Sequence, residues 1–436
     1  MLDFWVAVGY NRGMRFILHC DLNNFYASVE CHENPSLKGN PVVVCGRVED
    51  RHGIVLAKNG IAKAAGVKTG DVLWEAKQKC PGIIAVEARH NLYLKYSRLV
   101  RKIYLDFTDR IEPFGIDEAW LDITGSVHNF SEAAAMADAI RERVKSEVGL
   151  TISVGVSFCK VFAKLGSDMK KPDATTTITD ANFKQLVWPL PVSDLLYVGR
   201  ATTQKFADMT IKTIGDLANF DPAIIHQKLG KVGDMLVSYA RGEECEDVHL
   251  YNQHDEIKSV GNSMTYFKDL SDPEDIKALF LILSESVVAR MKKYGFKKAR
   301  NLSITVTDNN LSRTAKMMKM SPPTDLASEI AAYAFGLFEK EVGYCAKVRA
   351  LGVTISDFCD AEQMGLFDQP TTREKQANLQ AAVENIRSRF GRNSVQRAIV
   401  LKDERMKDID IVNDHVINPS IKEDPQTYTQ KIYHLD

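Results

Sequence analysis

The sequence has 436 residues, enough for roughly three or four domains of about 100–150 residues each. A hydrophobic content of 45% and a charged content of 26% are typical of a globular protein, and with a net charge of −1 any nucleic-acid surface must come from local clusters of charge. The eight cysteines form no C-x-x-C pair, which argues against structural zinc and against a disulfide framework. No apolar run reaches about 18 residues, so we expect a cytoplasmic protein without membrane contact.

The first half of the chain predicts a ferredoxin-like domain. Residues 1–13 are apolar but carry Asp3 and no basic start, unlike a signal peptide, and are interpreted as an N-terminal extension. The following elements are a strand over 15–20, a helix capped by Asn23 or Asn24, a hairpin, a helix capped by Ser131 and a strand over 150–157. This βαββαβ order predicts one sheet face buried under two helices.

Five further segments complete the predicted organisation. Residues 33–89 form a small, glycine-rich insertion with a strand over 41–45 and a helix-like stretch over 57–65. Residues 179–241 predict short helices separated by glycine turns. The remaining segments are a polar, acidic linker (242–256), a second α+β domain (257–358) and a tail (359–436). The second domain is expected to contain elements at 258–266, 275–293, 302–307, 325–341 and 348–356.

Three carboxylates are placed at the ends of predicted strands. Asp21 follows the first strand, and the adjacent pair Asp117 and Glu118 lies in the turn of the hairpin. Neighbouring residues of a strand point to opposite faces, so the pair can share an ion only at such a turn. Carboxylate oxygens suit Mg²⁺, and enzymes commonly use two such ions for phosphoryl transfer. Without Asp21 nearby, the Asp117 and Glu118 pair would indicate only a solvent-exposed turn.

Tyr26 lies on the first turn of the helix that follows Asp21. Beside a bound nucleotide its ring could lie against the sugar, where a 2′-hydroxyl would clash. An aromatic residue at helical spacing is more often part of the core, a place that Phe25 also suits. The residues alone leave both interpretations open.

Five motifs follow one another along the chain: Cys20-Asp-Leu-Asn-Asn-Phe-Tyr-Ala-Ser-Val-Glu30, Pro35-Ser-Leu-Lys-Gly-Asn-Pro-Val-Val-Val44, Gly115-Ile-Asp-Glu-Ala-Trp-Leu-Asp122, Val154-Gly-Val-Ser157 and Lys160-Val-Phe-Ala-Lys164. Together they resemble the Y-family, DinB-type translesion DNA polymerases of bacteria, and the resemblance extends from about Met14 to Phe358. The resemblance implies a palm (14–32 and 90–178), fingers (33–89), a helical thumb (179–241) and a DNA-binding little finger (257–358). It also implies an error-prone, DNA-dependent DNA polymerase that adds dNTPs to a primer in DNA damage tolerance and repair.

The resemblance also assigns roles to single residues. Asp21, Asp117 and Glu118, with the Leu22 carbonyl, match the ligands of two Mg²⁺ ions, for which Mn²⁺ can substitute. Tyr26 matches the steric gate against ribonucleotides. The candidate dNTP-binding residues are Phe25, Tyr26, Lys63 and Lys171.

The fingers depart from the family pattern at two positions. In the family, a Tyr and an Arg of the fingers usually contact the triphosphate of the incoming nucleotide. At the matching positions this chain has Gly60 and Lys63. Lys63 supplies charge but no bidentate fork, and Gly60 removes a hydrogen-bond donor. This departure weakens the assignment of triphosphate contacts to the fingers.

A basic run in the second domain predicts contact with DNA. Residues 289–300 hold six positive charges and no acid, and Arg313, Lys316 and Lys319 follow. Such a cluster on a near-neutral chain fits a phosphate backbone, although a charge run is often only a solvated helix face. The candidate DNA-binding residues are Lys292, Lys293, Lys297, Lys298 and Arg300. The thumb segment 197–206 resembles a helix-hairpin-helix, with Arg200 in place of the usual second glycine.

The tail carries two further features. The segment Gln363-Met-Gly-Leu-Phe-Asp368 resembles the peptide by which bacterial polymerases bind the sliding clamp, with Gln363, Leu366 and Phe367 as contacts. Leu379, Val383, Ile386 and Phe390 mark a helix that either packs on the body or binds a partner. The expected partners are therefore primer-template DNA, dNTPs and the clamp, with the chain itself a monomer.

Two other functions remain as alternatives at this point. A nucleotide cyclase also uses a two-metal palm, but it has no reason for a basic extension or a clamp peptide. A catalytically silent DNA-binding or scaffolding protein is disfavoured by the complete Asp21, Asp117 and Glu118 set. The departures from the family pattern at Gly60 and Lys63 keep that second alternative open.

Overall fold

The computed structural model describes residues 14–46, 53–244, 246–253, 256–360, 370–391, 394–402 and 404–407. These residues fall into two compact units, the first built mainly from residues 14–253 and the second mainly from residues 256–407. None of the helices within these ranges is both long enough and apolar enough to span a bilayer.

The first unit contains eight strands and eleven helices among its described residues. The strands are β1 (Ile17–Leu22), β2 (Val42–Cys45), β3 (Val55–Lys58), β4 (Ile84–Glu87), β5 (Ile111–Pro113), β6 (Glu118–Asp122), β7 (Ile152–Ser157) and β8 (Thr175–Ile178). The helices are α1 (Phe25–Glu33), α2 (Gly60–Ala64), α3 (Leu73–Lys79), α4 (His90–Leu105), α5 (Phe130–Arg143), α6 (Lys160–Met169), α7 (Phe183–Leu186), α8 (Arg200–Asp208), α9 (Ile214–Asn219), α10 (Pro222–Leu229) and α11 (Lys231–Arg241).

The main sheet of this unit has the strand order β5-β6-β1-β7-β8. Its first four strands are antiparallel neighbours in the ferredoxin-like arrangement, which confirms the predicted α+β fold class. Strand β8 adds a parallel edge to β7 through α6. The sequence had predicted neither α6 nor β8 as separate elements.

Helices cover both faces of this sheet, not the single face that we expected. Leu18, Cys20 and Leu22 of β1 point into a core shared with α4 and α5. Alternate residues of a strand face opposite sides, so Ile17, His19 and Asp21 point the other way. On that second side Ile17 packs with Trp120 and with Ala163 of α6. Asp21, the carboxylate candidate on β1, therefore lies on the face that α6 covers.

The predicted helix caps were wrong in detail. Asn24 precedes α1 with a left-handed φ of 49° and makes no side-chain cap. Asn23 instead donates to Ser153 Oγ at 2.9 Å and accepts from the backbone N–H of Asp173 at 2.9 Å, so it joins β1 to β7 and to the loop before β8. The cap of α5 is Asn129, whose side chain accepts from the Glu132 N–H, and not Ser131.

The insertion between α1 and α4 folds around its own small sheet, in the order β3-β2-β4. The stretch over 57–65 is not one helix, because β3 runs to Lys58 and α2 begins at Gly60. The side chain of Asn59 separates the two elements by accepting from the Ala62 N–H. A compact core of Val43, Val55, Ala62, Val67 and Ala76 holds the insertion together.

The segment that follows α11, expected to be a linker, is packed against the main sheet. Val248 is fully buried with Ile17, Trp120 and Ala163. Glu112 accepts two hydrogen bonds of 2.8 Å from Lys160 Nζ and one of 3.1 Å from the His249 N–H. We call residues 246–253 the strap.

The second unit is built on a four-stranded sheet backed by two long helices. Its elements are β9 (Ser259–Leu270), α12 (Pro273–Lys293), β10 (Lys298–Asp308), β11 (Arg313–Thr324), α13 (Ala327–Glu341) and β12 (Val348–Cys359). The strand order is β11-β10-β12-β9. The sequence had missed β11, which lacks the β-branched alternation typical of a strand and ends at two prolines.

The described part of the tail packs on this unit through α14 (Pro370–Phe390), and α15 (Glu404–Lys407) follows. The Gln380 side chain accepts from the Ala327 N–H at 2.9 Å and donates to the Asp325 carbonyl at 3.0 Å. Glu285 accepts from Arg387 at 2.9 Å and from Arg397 at 2.7 Å. Of the apolar residues that marked this helix, Leu379, Ile386 and Phe390 are exposed.

Candidate active site

Pairing of β1 with β6 brings the three candidate carboxylates to one end of the main sheet. Asp21 lies directly opposite Glu118 in the register of the two strands. Asp117 occupies the turn before β6, where its carbonyl accepts from the Leu22 N–H at 3.0 Å. The structure thus brings Asp21, Asp117 and Glu118 together, as the predicted fold indicated, and it places Leu22, which the resemblance added, beside them.

Helix α4 fixes the turn that carries Asp117. Gly115 adopts a φ of +85°, a left-handed conformation that glycine accepts without strain. The buried side chains of Ser97 and Arg101 donate to the carbonyls of Ile116 and Gly115, respectively. A backbone held from two sides keeps the Asp117 carboxylate in place.

Lysine side chains face two of the carboxylates. Lys171 Nζ lies 2.8 Å from Asp21 Oδ2 and 2.8 Å from Asp168 Oδ1. Lys164, one turn before Asp168 on α6, donates to Glu118 Oε2. Lys171 was a predicted site residue, whereas Lys164 and Asp168 were missed.

The lysines compensate the charge of Glu118, but they do not fully compensate the charges of Asp21 and Asp117. Burial, together with the charges of Glu118 and Asp117, raises the pKa of Asp21 to about 6 against the opposing effect of Lys171. Burial and the charge of Glu118 likewise raise the pKa of Asp117 to about 6. Burial would also raise the pKa of Glu118, but the nearby His19 and Lys164 outweigh it and lower that pKa to about 2.

These residues fit a divalent metal ion. Over the part of the chain that the structure describes, no three His, Cys, Asp or Glu side chains are already gathered as a finished ligand set. The donors are nevertheless hard oxygens, and burial together with the neighbouring negative charges raises the pKa values of Asp21 and Asp117. A divalent cation would offset this accumulation of negative charge. Withdrawal of the lysine ammonium groups would free the carboxylates for the ion.

Tyr26 is half-buried at the edge of the same site. Its ring stacks on Tyr93 with centroids 4.1 Å apart and 14° between the planes. Burial and the nearby charge of Asp117 raise the pKa of its hydroxyl to about 12, so that the hydroxyl stays neutral. Phe25 is buried in the core, with its ring 5.6 Å from that of Tyr26. The structure therefore shows that Tyr26 packs against the core, while its role as a steric gate stays a prediction.

The fingers candidates lie on the short helix α2. Gly60 begins this helix, and a Cβ built there meets no atom within 4 Å, so the position is open. Lys63 is exposed. Lys58 donates to Thr69 Oγ1 at 3.1 Å, and its pKa is lowered by burial and by the charge of Lys63.

The predicted DNA-binding residues of the second unit differ in their surroundings. Lys292 lies 3.2 Å from Glu384 of α14 and is largely engaged there. Lys297 and Arg300 face Asp360 and Asp357 at 3.7 and 3.4 Å. Lys293 is exposed and Lys298 is half-buried. The clamp residues Gln363, Leu366 and Phe367 lie outside the described residues.

The fold and the carboxylates define a class before any relative is considered. A ferredoxin-like sheet that gathers one buried and two half-buried carboxylates at one end of two adjacent strands is a palm-type phosphoryl-transfer scaffold.

Comparison with known proteins narrows that class. The impB/mucB/samB family matches residues 20–168, and its C-terminal domain matches residues 257–366. DNA polymerase IV of Acetivibrio thermocellus is 48% identical over 392 residues, with 89% of this chain and 98% of that protein covered. DNA polymerase IV 1 of Bacillus subtilis is 34% identical over 397 residues, covering 90% and 95%. A solved Y-family DNA polymerase chimera shares the fold with a TM-score of 0.70 at 23% identity, covering 79% of this chain and all of that one.

The chain belongs to the impB/mucB/samB family and is a bacterial Y-family translesion DNA polymerase. The family resemblance drawn from the motifs is thereby confirmed, as are the DNA-directed polymerase activity and a general dependence on divalent metal. Nothing in these comparisons favours a cyclase or a silent scaffold.

Proposed function

We propose that this polymerase extends a primer 3′ end at the site formed by Asp21, Asp117 and Glu118, holding two Mg²⁺ ions for which Mn²⁺ can substitute. The observation that carries the proposal is the register of β1 and β6, which sets Asp21 opposite Glu118 with Asp117 in the adjoining turn. Asp21 and Asp117 would serve both ions, Glu118 the ion nearer the primer, and the Leu22 carbonyl would complete the set. When bound, the ions lower the pKa of the primer hydroxyl and stabilise the charge that develops on the phosphate.

The protein side chains contribute positioning and charge. Lys171, which lies between Asp21 and Asp168, is near enough to the carboxylates to turn to the triphosphate of the dNTP once its partners bind metal. Lys63 of α2 would add charge from the fingers. Tyr26, held by its stack on Tyr93, would present its ring to the sugar and exclude a 2′-hydroxyl.

Primer extension tests this proposal directly. The full chain is incubated with Mg²⁺, four dNTPs and a primer on undamaged and abasic templates, with Glu118→Ala as control. Extension by the wild type alone supports the metal site, and extension past the abasic position supports lesion bypass. Extension by Glu118→Ala at the wild-type rate would remove Glu118 from the site.

We also propose that the chain acts as a monomer bound to the bacterial sliding clamp through Gln363, Leu366 and Phe367. The support is the sequence pattern, which places two large apolar residues between polar neighbours. Replacing Leu366 and Phe367 with Ala should abolish clamp-stimulated synthesis and leave synthesis without the clamp intact. Equal stimulation of the double variant and the wild type would place the clamp site elsewhere.

A further inference from the structure

His19 is a fully buried side chain directly behind the proposed metal site. It lies two residues before Asp21 on β1, on the face covered by α6. Its Nδ1 is 2.9 Å from Ser167 Oγ, and its Nε2 is 3.2 Å from Glu118 Oε2. The ring also packs edge-on against Trp120, with centroids 5.2 Å apart. Contacts on three sides fix where each ring nitrogen points.

The hydrogen bonds of Ser167 determine where the imidazole proton can be. The Ser167 hydroxyl lies 2.8 Å from the Lys164 carbonyl and 2.9 Å from His19 Nδ1, and it has only one proton to donate. If it donates to Lys164, a neutral His19 must carry its proton on Nδ1, and the bare Nε2 then faces a carboxylate oxygen. Two buried acceptors in contact are unfavourable.

The other arrangement leaves no acceptor unpaired. The Lys164 carbonyl lies inside α6, where the helical ladder already gives it a donor. The Ser167 hydroxyl is then free to donate to Nδ1, and the proton of the neutral ring sits on Nε2. An imidazolium ring would also carry a proton on Nε2, so this placement does not depend on the charge of the ring.

We propose that His19 is a positioning residue that donates its Nε2–H to Glu118 and so orients this carboxylate for metal binding. The structure shows Nε2 with no fully aligned hydrogen bond among the described residues, although Glu118 Oε2 is within 3.2 Å. A small turn of Glu118 away from Lys164 completes the bond. The inference rests on the proposed function, because it deepens the role given to Glu118.

His19 and Lys164 hold Glu118 in different ways. Both reach Oε2, and within the described part of the chain neither contact involves Oε1. Lys164 is a flexible cation, which a bound metal ion would repel, whereas His19 is rigid and offers a donor without requiring a charge. His19 would therefore be the contact that remains when metal binds, and Oε1 of Glu118 would be available to the ion.

Mn²⁺ binding to the full chain with primer-template DNA, followed by electron paramagnetic resonance, tests this role without depending on turnover. His19→Leu removes the donor and should weaken the apparent affinity for Mn²⁺ by about 10- to 100-fold, as is usual for outer partners of metal ligands. His19→Gln restores an N–H near the Nε2 position and should recover most of the affinity. Ser167→Ala should give an intermediate loss.

The control variant is Ser284→Ala, which removes an equally buried hydroxyl from the second unit and should leave Mn²⁺ binding unchanged. A folded His19→Leu variant with wild-type Mn²⁺ affinity overturns the inference, and so does an undiminished affinity in Ser167→Ala if His19→Leu does not fold. These results differ from a failure of the proposed function, in which the wild type itself would neither bind Mn²⁺ nor extend a primer.

Discussion

The two large sheets of this polymerase share an order of elements but differ in arrangement. Both are βαββαβ, yet the main sheet of the first unit sets its first and third strands at the centre, whereas the second unit sets its second and fourth there. In the first, the central strands β1 and β6 meet at their ends and bring Asp21 against Glu118. The order of elements alone therefore does not determine which residues of a sheet can meet.

The faces of the two sheets differ as well. Helices cover both faces of the first sheet, so its chemistry is confined to one end. In the second, Leu302 and Ile304 of β10 are buried beside the helices, while the alternate residues Ser303 and Thr305 are accessible. Lys319 of β11 pairs with Asn301 and shares that accessible face. The first sheet thus gathers its carboxylates at one end, whereas the second has an accessible face whose contact with DNA stays a prediction.

The largest effect is expected from a substitution at the carboxylate end of the first sheet. Asp117→Asn should lower primer extension by at least about 10³-fold, because a ligand charge is lost where the transition state needs it. The unfolding temperature without metal should stay the same or rise, since burial already disfavours the Asp117 charge. Asp122→Asn, at the other end of β6, is the matched control and should extend primers normally. Comparable activity in both variants would contradict the assignment.

The next effect concerns selectivity at the same end. Tyr26→Ala should raise ribonucleotide incorporation relative to dNTPs by about 10²-fold, because the ring that would clash with a 2′-hydroxyl is gone. Tyr26→Phe keeps the stack on Tyr93 and should keep the discrimination. Single-nucleotide insertion kinetics measure the ratio. An unchanged ratio in Tyr26→Ala would take the gate role from Tyr26.

A smaller effect is expected from removing a lysine on the accessible face of the second sheet. Lys319→Ala should weaken primer-template binding about 3- to 10-fold and reduce the salt dependence of binding by about one phosphate contact. Lys316→Ala is the control on the same strand, because Lys316 lies on the helix side and faces Glu341 at 3.4 Å. Fluorescence anisotropy at several salt concentrations separates the two. An equal loss of DNA affinity in the two variants would mean that the accessible face is not the surface that contacts DNA.

The smallest effect lies outside both sites, in a helix that backs the first sheet. Asn129→Ala should cost about 1 kcal/mol of unfolding free energy, since the Asn129 side chain caps α5. Ser131→Ala, at the position that the sequence favoured, should cost far less. Urea denaturation compares the two. A larger loss of unfolding free energy in Ser131→Ala than in Asn129→Ala would support Ser131, the residue predicted from the sequence, as the cap of α5.

Strand-end carboxylates and hydrophobic spacing were enough to predict the palm and its metal candidates. Asp21, Asp117 and Glu118 were found because each follows or precedes a strand in a recognisable order. His19, Lys164 and Ser167 were missed because their roles arise from the packing of α6 on the second sheet face, which no local pattern encodes. Strand β11 was missed because its middle consists of lysine and methionine, where β-branched residues are usual.

The strap sets where this protein can be recombined with its relatives. Arg15 donates to the Glu246 carbonyl at 2.6 Å, the Tyr251 N–H donates to the Asp109 carbonyl at 2.9 Å, and Val248 fills the space beside Trp120. A hybrid protein that switches at residue 242 to the sequence of a relative would pack the strap of that relative against the main sheet of this protein. A junction placed after residue 253 keeps the strap with the sheet against which it packs, so the best position for a junction lies about a dozen residues beyond the end of α11.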